Sequence, residues 1–182
     1  MFLSLRDMEL RKLRFDETYS PGEIQFVDVT LRQTSPLRAT GSAELLPNTE
    51  GEIRIRGHFS VQVETECDRC LEAANYPLDT DFDLFYEPAS ATPPAEEVEI
   101  DAGESEIGFY EGEGLDLEGV LREQILLALP MRRVCREECK GICPVCGDNR
   151  NLTDCGCEVK PVDVDGSIAR ANCFACPTSP AW

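Results

Sequence analysis

The sequence predicts an α+β domain, an antiparallel β-sheet with one main helix, to which a C-terminal cysteine-rich module is attached. Three observations lead there. Two long runs alternate apolar and polar residues with the period of two that a half-buried strand requires. One stretch, residues 117–129, repeats its apolar residues at helical spacing. Six cysteines crowd the 23 residues from Cys135 to Cys157.

Taken in order, residues 1–15 mix Leu3, Leu5, Met8, Leu10 and Leu13 with Arg6, Arg11, Lys12 and Arg14. Their period is ambiguous between helix and strand, and the segment reads as an arm packed on the body. Pro21-Gly22 marks a turn. Residues 24–31 are rich in β-branched and aromatic side chains and predict a strand; residues 37–46 predict another, ended by Pro47-Asn48. The clearest strand covers residues 52–65. Ile53, Ile55, Phe59, Val61 and Val63 share one face, while Arg54, Arg56, His58, Gln62 and Glu64 share the other. His58, the sole histidine, falls on the polar face as a solvated residue. That strand runs into Cys67-Asp-Arg-Cys70. A second alternating run follows, with Tyr76, Leu78, Phe82, Leu84 and Tyr86 against Asp79, Asp81 and Asp83. Cys67 and Cys70 are therefore expected at a hairpin tip.

Residues 87–114 carry nine acids, no Lys or Arg, and Pro93-Pro94. They read as a long, mobile acidic loop, with Ile107, Phe109 and Tyr110 docking locally. In the helix, Asp116 is placed to cap the first turn and Glu118 to meet the positive end of the dipole. Leu117, Val120, Leu121, Ile125 and Ala128 form its core stripe, and Pro130 stops it. The expected organisation is a sheet-and-helix domain over 1–134, a module over 135–160 packed on it, and a poorly ordered tail over 161–182.

The formal charge is −18, which argues against simple nucleic-acid binding. It is unevenly placed. Residues 1–15 hold four basic and two acidic residues, 16–131 hold six and 26, and 132–160 hold six and five. Such a body repels phosphate and attracts basic proteins; alternatively, the acids only keep the protein soluble. No run approaches the length of a membrane span, and Phe2-Leu3-Ser4-Leu5 is far short of a signal-peptide core. The chain is expected in the cytoplasm, where thiols stay reduced.

The cysteines carry the chemistry. Cys135, Cys139, Cys143, Cys146, Cys155 and Cys157 follow the pattern C-x3-C-x3-C-x2-C-x8-C-x-C. No packing argument needs so many thiols in so polar a segment. A disulfide framework would, but it needs an oxidising compartment. Cys143-Pro-Val-Cys146-Gly147 fits a zinc knuckle, in which the glycine after the second ligand permits a left-handed turn. With Cys67 and Cys70, eight cysteines make two structural zinc sites of four thiolates each, closed to water. Loop length favours Cys143, Cys146, Cys155 and Cys157 around one ion and Cys67, Cys70, Cys135 and Cys139 around the other. The rival joins the two C-x2-C knuckles, as in zinc ribbons, and leaves Cys135, Cys139, Cys155 and Cys157 for the second ion. Cys173 and Cys176 read as free thiols in the tail or as part of a third site, which two cysteines cannot complete.

Cys-x2-Cys-Leu after a long alternating strand resembles the YceD family. So do the acidic loop, the helix ending Leu-Ala-Leu-Pro, the run C-x3-C-Lys-Gly-Ile-C-Pro-x-C-Gly-x-Asn-x-Asn and the final C-x-C. The resemblance covers roughly residues 20–160 and rests on the cysteine string. It implies a metal-binding, non-enzymatic factor linked to accumulation of the large-subunit ribosomal RNA, with that RNA as partner, while the acidic body points to a basic ribosomal protein as partner. It carries the role of metal ligand to the same eight cysteines and names no catalytic residue. Two other classes compete: a zinc-ribbon adaptor for another protein, such as a transcription component, and a thiol redox sensor. A sensor needs an exposed, acidified cysteine, and no thioredoxin-like pattern surrounds Cys67-x2-Cys70. One histidine, no nucleophile motif and no Gly-rich phosphate loop argue against a hydrolase and a small-molecule substrate.

Overall fold

The computed structural model describes residues 1–89 and 107–157. Its sheet is built on the two alternating runs. Strand β5 (Ile53–Glu66) buries Ile53, Ile55, Phe59, Val61 and Val63, and β6 (Ala73–Pro88) buries Ala74, Leu78, Phe82 and Tyr86. Polar partners line the opposite face. Arg54 makes two bonds to Asp83, at 2.8 and 2.6 Å, and its guanidinium lies over the Phe85 ring. His58 Nδ1 sits 3.0 Å from Asp81 on the same solvated face.

The remaining strands complete two sheets. The larger has the order β2 (Leu13–Tyr19), β4 (Leu37–Leu45), β5, β6, β7 (Ile107–Tyr110), and β3 (Arg32–Gln33) pairs with the far end of β5. β2 runs antiparallel to β4, which runs antiparallel to β5 through Ala39↔Phe59 and Ala43↔Ile55. β6 and β7 are parallel, Phe85 facing Ile107. A parallel neighbour needs a crossover rather than a tight turn, so the long connection ends in a strand at residue 107. Ile107–Tyr110, expected within the acidic loop, are thus a strand. Residues 90–106, and the tail with Cys173 and Cys176, lie outside the described residues.

The amino terminus is not an arm. It forms β1 (Phe2–Ser4), helix α1 (Leu5–Leu10) and then β2, with Leu3, Met8 and Phe15 buried in the core. β1 pairs with β8 (Gly114–Asp116) as a separate two-stranded sheet. The approach is so close that a Cβ on Gly114 (φ +154°) would sit 2.0 Å from the Leu3 carbonyl oxygen.

The strand expected over residues 24–31 is a loop. Its backbone bonds are local: Leu31 N–H donates to the Asp28 carbonyl, and the Asp28 carboxylate accepts from the Thr30 amide and hydroxyl. Such an Asx turn competes with ladder pairing. Ile24 and Leu31 reach the core, whereas Val27 and Val29 are 88% exposed. Their β-branched composition misled because burial, not propensity, decides which strands form.

Helix α2 (Leu117–Ala128) starts where Asp116 accepts the Glu118 amide. Leu117, Val120, Leu121 and Ile125 are buried together with Phe59, Phe82 and Tyr86 in one hydrophobic cluster. The chain divides into two compact units. One holds Met1–Thr65 and Asn75–Met131; the other holds Glu66–Ala74 and the described residues from Arg132 onward. The hydrophobic cluster belongs to the first, and every described cysteine to the second.

Candidate metal centres

The second unit contains two knuckles with the same hydrogen-bond scheme. In the first, Leu71 N–H donates to the Cys67 carbonyl (2.9 Å) and Cys67 N–H to the Glu72 carbonyl (2.8 Å). In the second, Gly147 N–H donates to the Cys143 carbonyl (2.9 Å) and Cys143 N–H to the Asp148 carbonyl (2.8 Å). Residue for residue, Leu71 stands where Gly147 does, and both are left-handed, at φ 61° and 81°. That conformation suits glycine and strains leucine.

The scheme turns backbone amides toward sulfur. Burial raises the Cys67 thiol pKa, but amides of Cys135, Arg69 and Cys70 outweigh it and lower the value to about 6. Amides of Cys146 and Val145 likewise lower Cys143 to about 6, against its burial. Hydrogen bonds to the charged form explain both.

The sulfurs then fall into two groups, Cys67, Cys70, Cys135 and Cys139, and Cys143, Cys146, Cys155 and Cys157. Within each, all four lie within 4.8 Å of one another. The fold therefore gathers the four cysteines joined by the shortest loops, Cys143, Cys146, Cys155 and Cys157, in one group and does not join the two knuckles in one ribbon site. In the first group, Cys67 and Cys139 sulfurs are 3.8 Å apart and Cys70 and Cys135 sulfurs 3.6 Å. A tetrahedral ion with metal–sulfur bonds of about 2.3 Å spaces its ligands about 3.8 Å apart. A disulfide would bring them to about 2.05 Å, and all eight are free thiols. Each tetrad could hold a metal ion, and two zinc ions are compatible with this geometry.

The electrostatics agree with that donor set. The Glu72 amide favours the Cys70 thiolate, yet burial and the sulfurs of Cys139, Cys67 and Cys135 push its pKa up to about 12. Cys146 is driven up as well: the Asp148 amide favours its thiolate, while burial and the Cys143 and Cys155 sulfurs oppose it. Within each group some thiols are acidified, Cys67 and Cys139 in one and Cys143 in the other, while neighbouring sulfurs are held back. A cation at the centre would remove that repulsion.

Other residues hold the frame, with little in their types to mark them. Asp68 N–H donates to the Arg133 carbonyl (2.7 Å), and its carboxylate accepts the Arg133 amide (2.6 Å). The Arg69 carbonyl accepts the Ile142 amide, and its guanidinium donates to the Cys139 carbonyl at 2.8 Å. Asn149 and Asn151 bond around Cys139. Their only signal in the sequence is the spacing Asn-x-Asn behind a knuckle.

Comparison with known proteins gives one family. The model of the large ribosomal RNA subunit accumulation protein YceD matches residues 55–167, a range that includes all eight cysteines. Uncharacterized proteins of Mycobacterium bovis and Mycobacterium tuberculosis are each 31% identical over 133 residues, 72% of this chain and 60% of theirs. The uncharacterized protein YlbN of Bacillus subtilis is 25% identical over 141 residues, 77% of this chain and 76% of its own. The chain thus spans about 60% of the mycobacterial relatives it matches. No solved structure matches it.

Proposed function

Because this chain belongs to the YceD family, whose description ties it to accumulation of the large ribosomal RNA, we propose that it is a non-enzymatic, two-zinc factor in large ribosomal subunit biogenesis. The observation that carries the reading is the family match over the cysteine string. All eight cysteines are the proposed zinc ligands, and both ions are structural, since four thiolates close each shell.

Charge suggests how such a factor divides its surface. Residues 16–131 carry 26 acids against six basic residues, and each phosphate contact needs a cation to displace counterions. The acidic body therefore takes a basic ribosomal protein. Arg132, Arg136, Lys140 and Arg150, all exposed in the cysteine unit, make any direct contact with RNA. The redox reading has less support. The acidified cysteines, Cys67, Cys139 and Cys143, are all buried, and a buried sulfur is closed to attack. No described helix is long and apolar enough to cross a membrane.

The test is co-purification of the tagged chain with ribosomal particles, followed by identification of the bound components. Enrichment of large-subunit precursors supports the proposal. A polymerase or another non-ribosomal protein as the sole partner would replace it with the adaptor reading.

A further inference from the structure

We infer that Asn151, oriented by Asn149, couples the two cysteine tetrads. It lies in the loop that Cys146 and Cys155 of one tetrad bracket, and it donates a hydrogen bond to the Cys139 sulfur of the other. Its Nδ2 is 3.3 Å from Cys139 Sγ.

The amide orientation follows from its partners. Asn151 Oδ1 lies 2.9 Å from the Lys140 backbone N–H, which can only donate. The oxygen must face Lys140, so the NH2 group faces the sulfur and Asn149 Oδ1, 2.9 Å away. Asn149 is set the same way. Its oxygen also accepts the Asn151 backbone amide at 3.0 Å, which leaves its own NH2 group for the Glu72 carboxylate at 3.3 Å. Two obligatory backbone donors thus fix the direction of the chain Glu72–Asn149–Asn151–Cys139.

The loop reaches this position through backbone bonds to the strap between the tetrads. Arg150 N–H donates to the Gly141 carbonyl (2.9 Å), and Ile142 and Asn149 form an antiparallel bridge. The strap runs from Cys139, in one tetrad, to Cys143, in the other. Closing the loop through Cys155 and Cys157 restricts it to conformations that deliver Asn151. A donor to a thiolate is charge-assisted, and such outer partners typically change metal affinity by about 10–100-fold. Metal in the Cys143 group therefore strengthens binding in the Cys67 group, and linkage makes the effect reciprocal.

The inference rests on both tetrads binding metal, and cadmium-113 NMR of the full chain separates that premise from the coupling. Two resonances are expected, and Cys157→Ser should abolish that of its own tetrad. The surviving signal reports the Cys67 group, and its retention under a chelator series gives that site's affinity. Asn151→Ala is expected to weaken it by about 10-fold or more. Cys157→Ser should weaken it by a similar factor, and the double variant by no more than either single one. If the alanine variant does not fold, the near-isosteric Asn151→Asp turns an oxygen toward the sulfur and should weaken the site at least as much. Unchanged retention in a folded Asn151 variant or in Cys157→Ser, or additive losses, would overturn the coupling alone. Absence of any cadmium resonance would overturn the metal reading with it.

Discussion

Leu71 and Gly147 occupy equivalent knuckle positions, yet only one is the residue that the backbone there prefers. A leucine held left-handed costs about 1–2 kcal/mol, and Leu71 is 61% exposed, so little burial offsets it. Leu71→Gly adds freedom to the unfolded chain, which takes back about 0.4–1 kcal/mol. The expected net is a thermal midpoint equal to or slightly above the parent's. A drop of more than about 3 °C, near 1 kcal/mol for a chain of this size, would mean that the side chain has a packing role the fold does not reveal. Asp83 makes a second prediction at this scale. The Arg54 bonds lower its carboxyl pKa below the ordinary value. A group with a depressed folded pKa stabilises the fold above its unfolded pKa, and that contribution disappears as pH falls through the folded one. Asp83→Asn should therefore lower stability slightly at pH 7, and the two stability curves should converge below about pH 4, the unfolded aspartate range. The effect is small because the pair is solvent-exposed. A gap that persists unchanged to pH 2 would assign the loss to something other than the ion pair.

At the scale of elements, the β1–β8 pair and helix α2 carry different risks. Gly114 has no room for a Cβ beside the Leu3 carbonyl. Gly114→Ala must push β1 away from β8 and is expected to cost about 2–4 kcal/mol, within the range of strained backbone substitutions. Urea denaturation measures it, and a loss below about 0.5 kcal/mol would show that β1 is free to shift. Ile125 lies on the buried stripe of α2. Ile125→Ala removes packed methyl groups and leaves a cavity, at about 2–5 kcal/mol. The helix was legible because its period, its Asp116 cap and Pro130 agree. The loop over residues 24–31 was not, because nothing local distinguishes a β-branched strand from an Asx-turned loop whose alternate side chains face water.

For the whole molecule, the two units are stabilised by different means. Residues 1–65 and 75–131 contain the hydrophobic cluster, whereas the described part of the cysteine unit buries Cys67, Cys70, Cys139 and Cys143 and little else of an apolar kind. If zinc binds as proposed, it supplies the folding free energy of the second unit. Treatment with a strong chelator should then release two zinc ions per chain and erase amide-exchange protection across residues 135–157. Protection in β4 and β5 should persist. Simultaneous loss in both regions would show that the sheet depends on metal too. The proposed division of the surface predicts that reversing charge at Arg132, Arg136 and Lys140 weakens binding to naked ribosomal RNA and flattens its salt dependence. Binding to RNA that carries its ribosomal proteins should suffer less. Equal affinity for both RNAs, unaffected by the charge reversal, would sink that division.

Alternation in β5 and β6, the stripe of α2 and the cysteine spacing are short-range patterns, and each follows from the period of the backbone or the reach of a few bonds. The sequence by itself therefore determined the main strands, the helix, the eight clustered thiols and the family. It left two groupings of those thiols open, because chain distance ranks loop closures but does not exclude the longer ones. Tertiary structure decided between them by setting Cys67 beside Cys139, 72 residues apart. It also decided that β7 joins β6 in parallel, that the amino terminus enters the core, and that Asn151 faces a sulfur. Those outcomes depend on which distant groups meet, and a residue's type does not specify its distant neighbour.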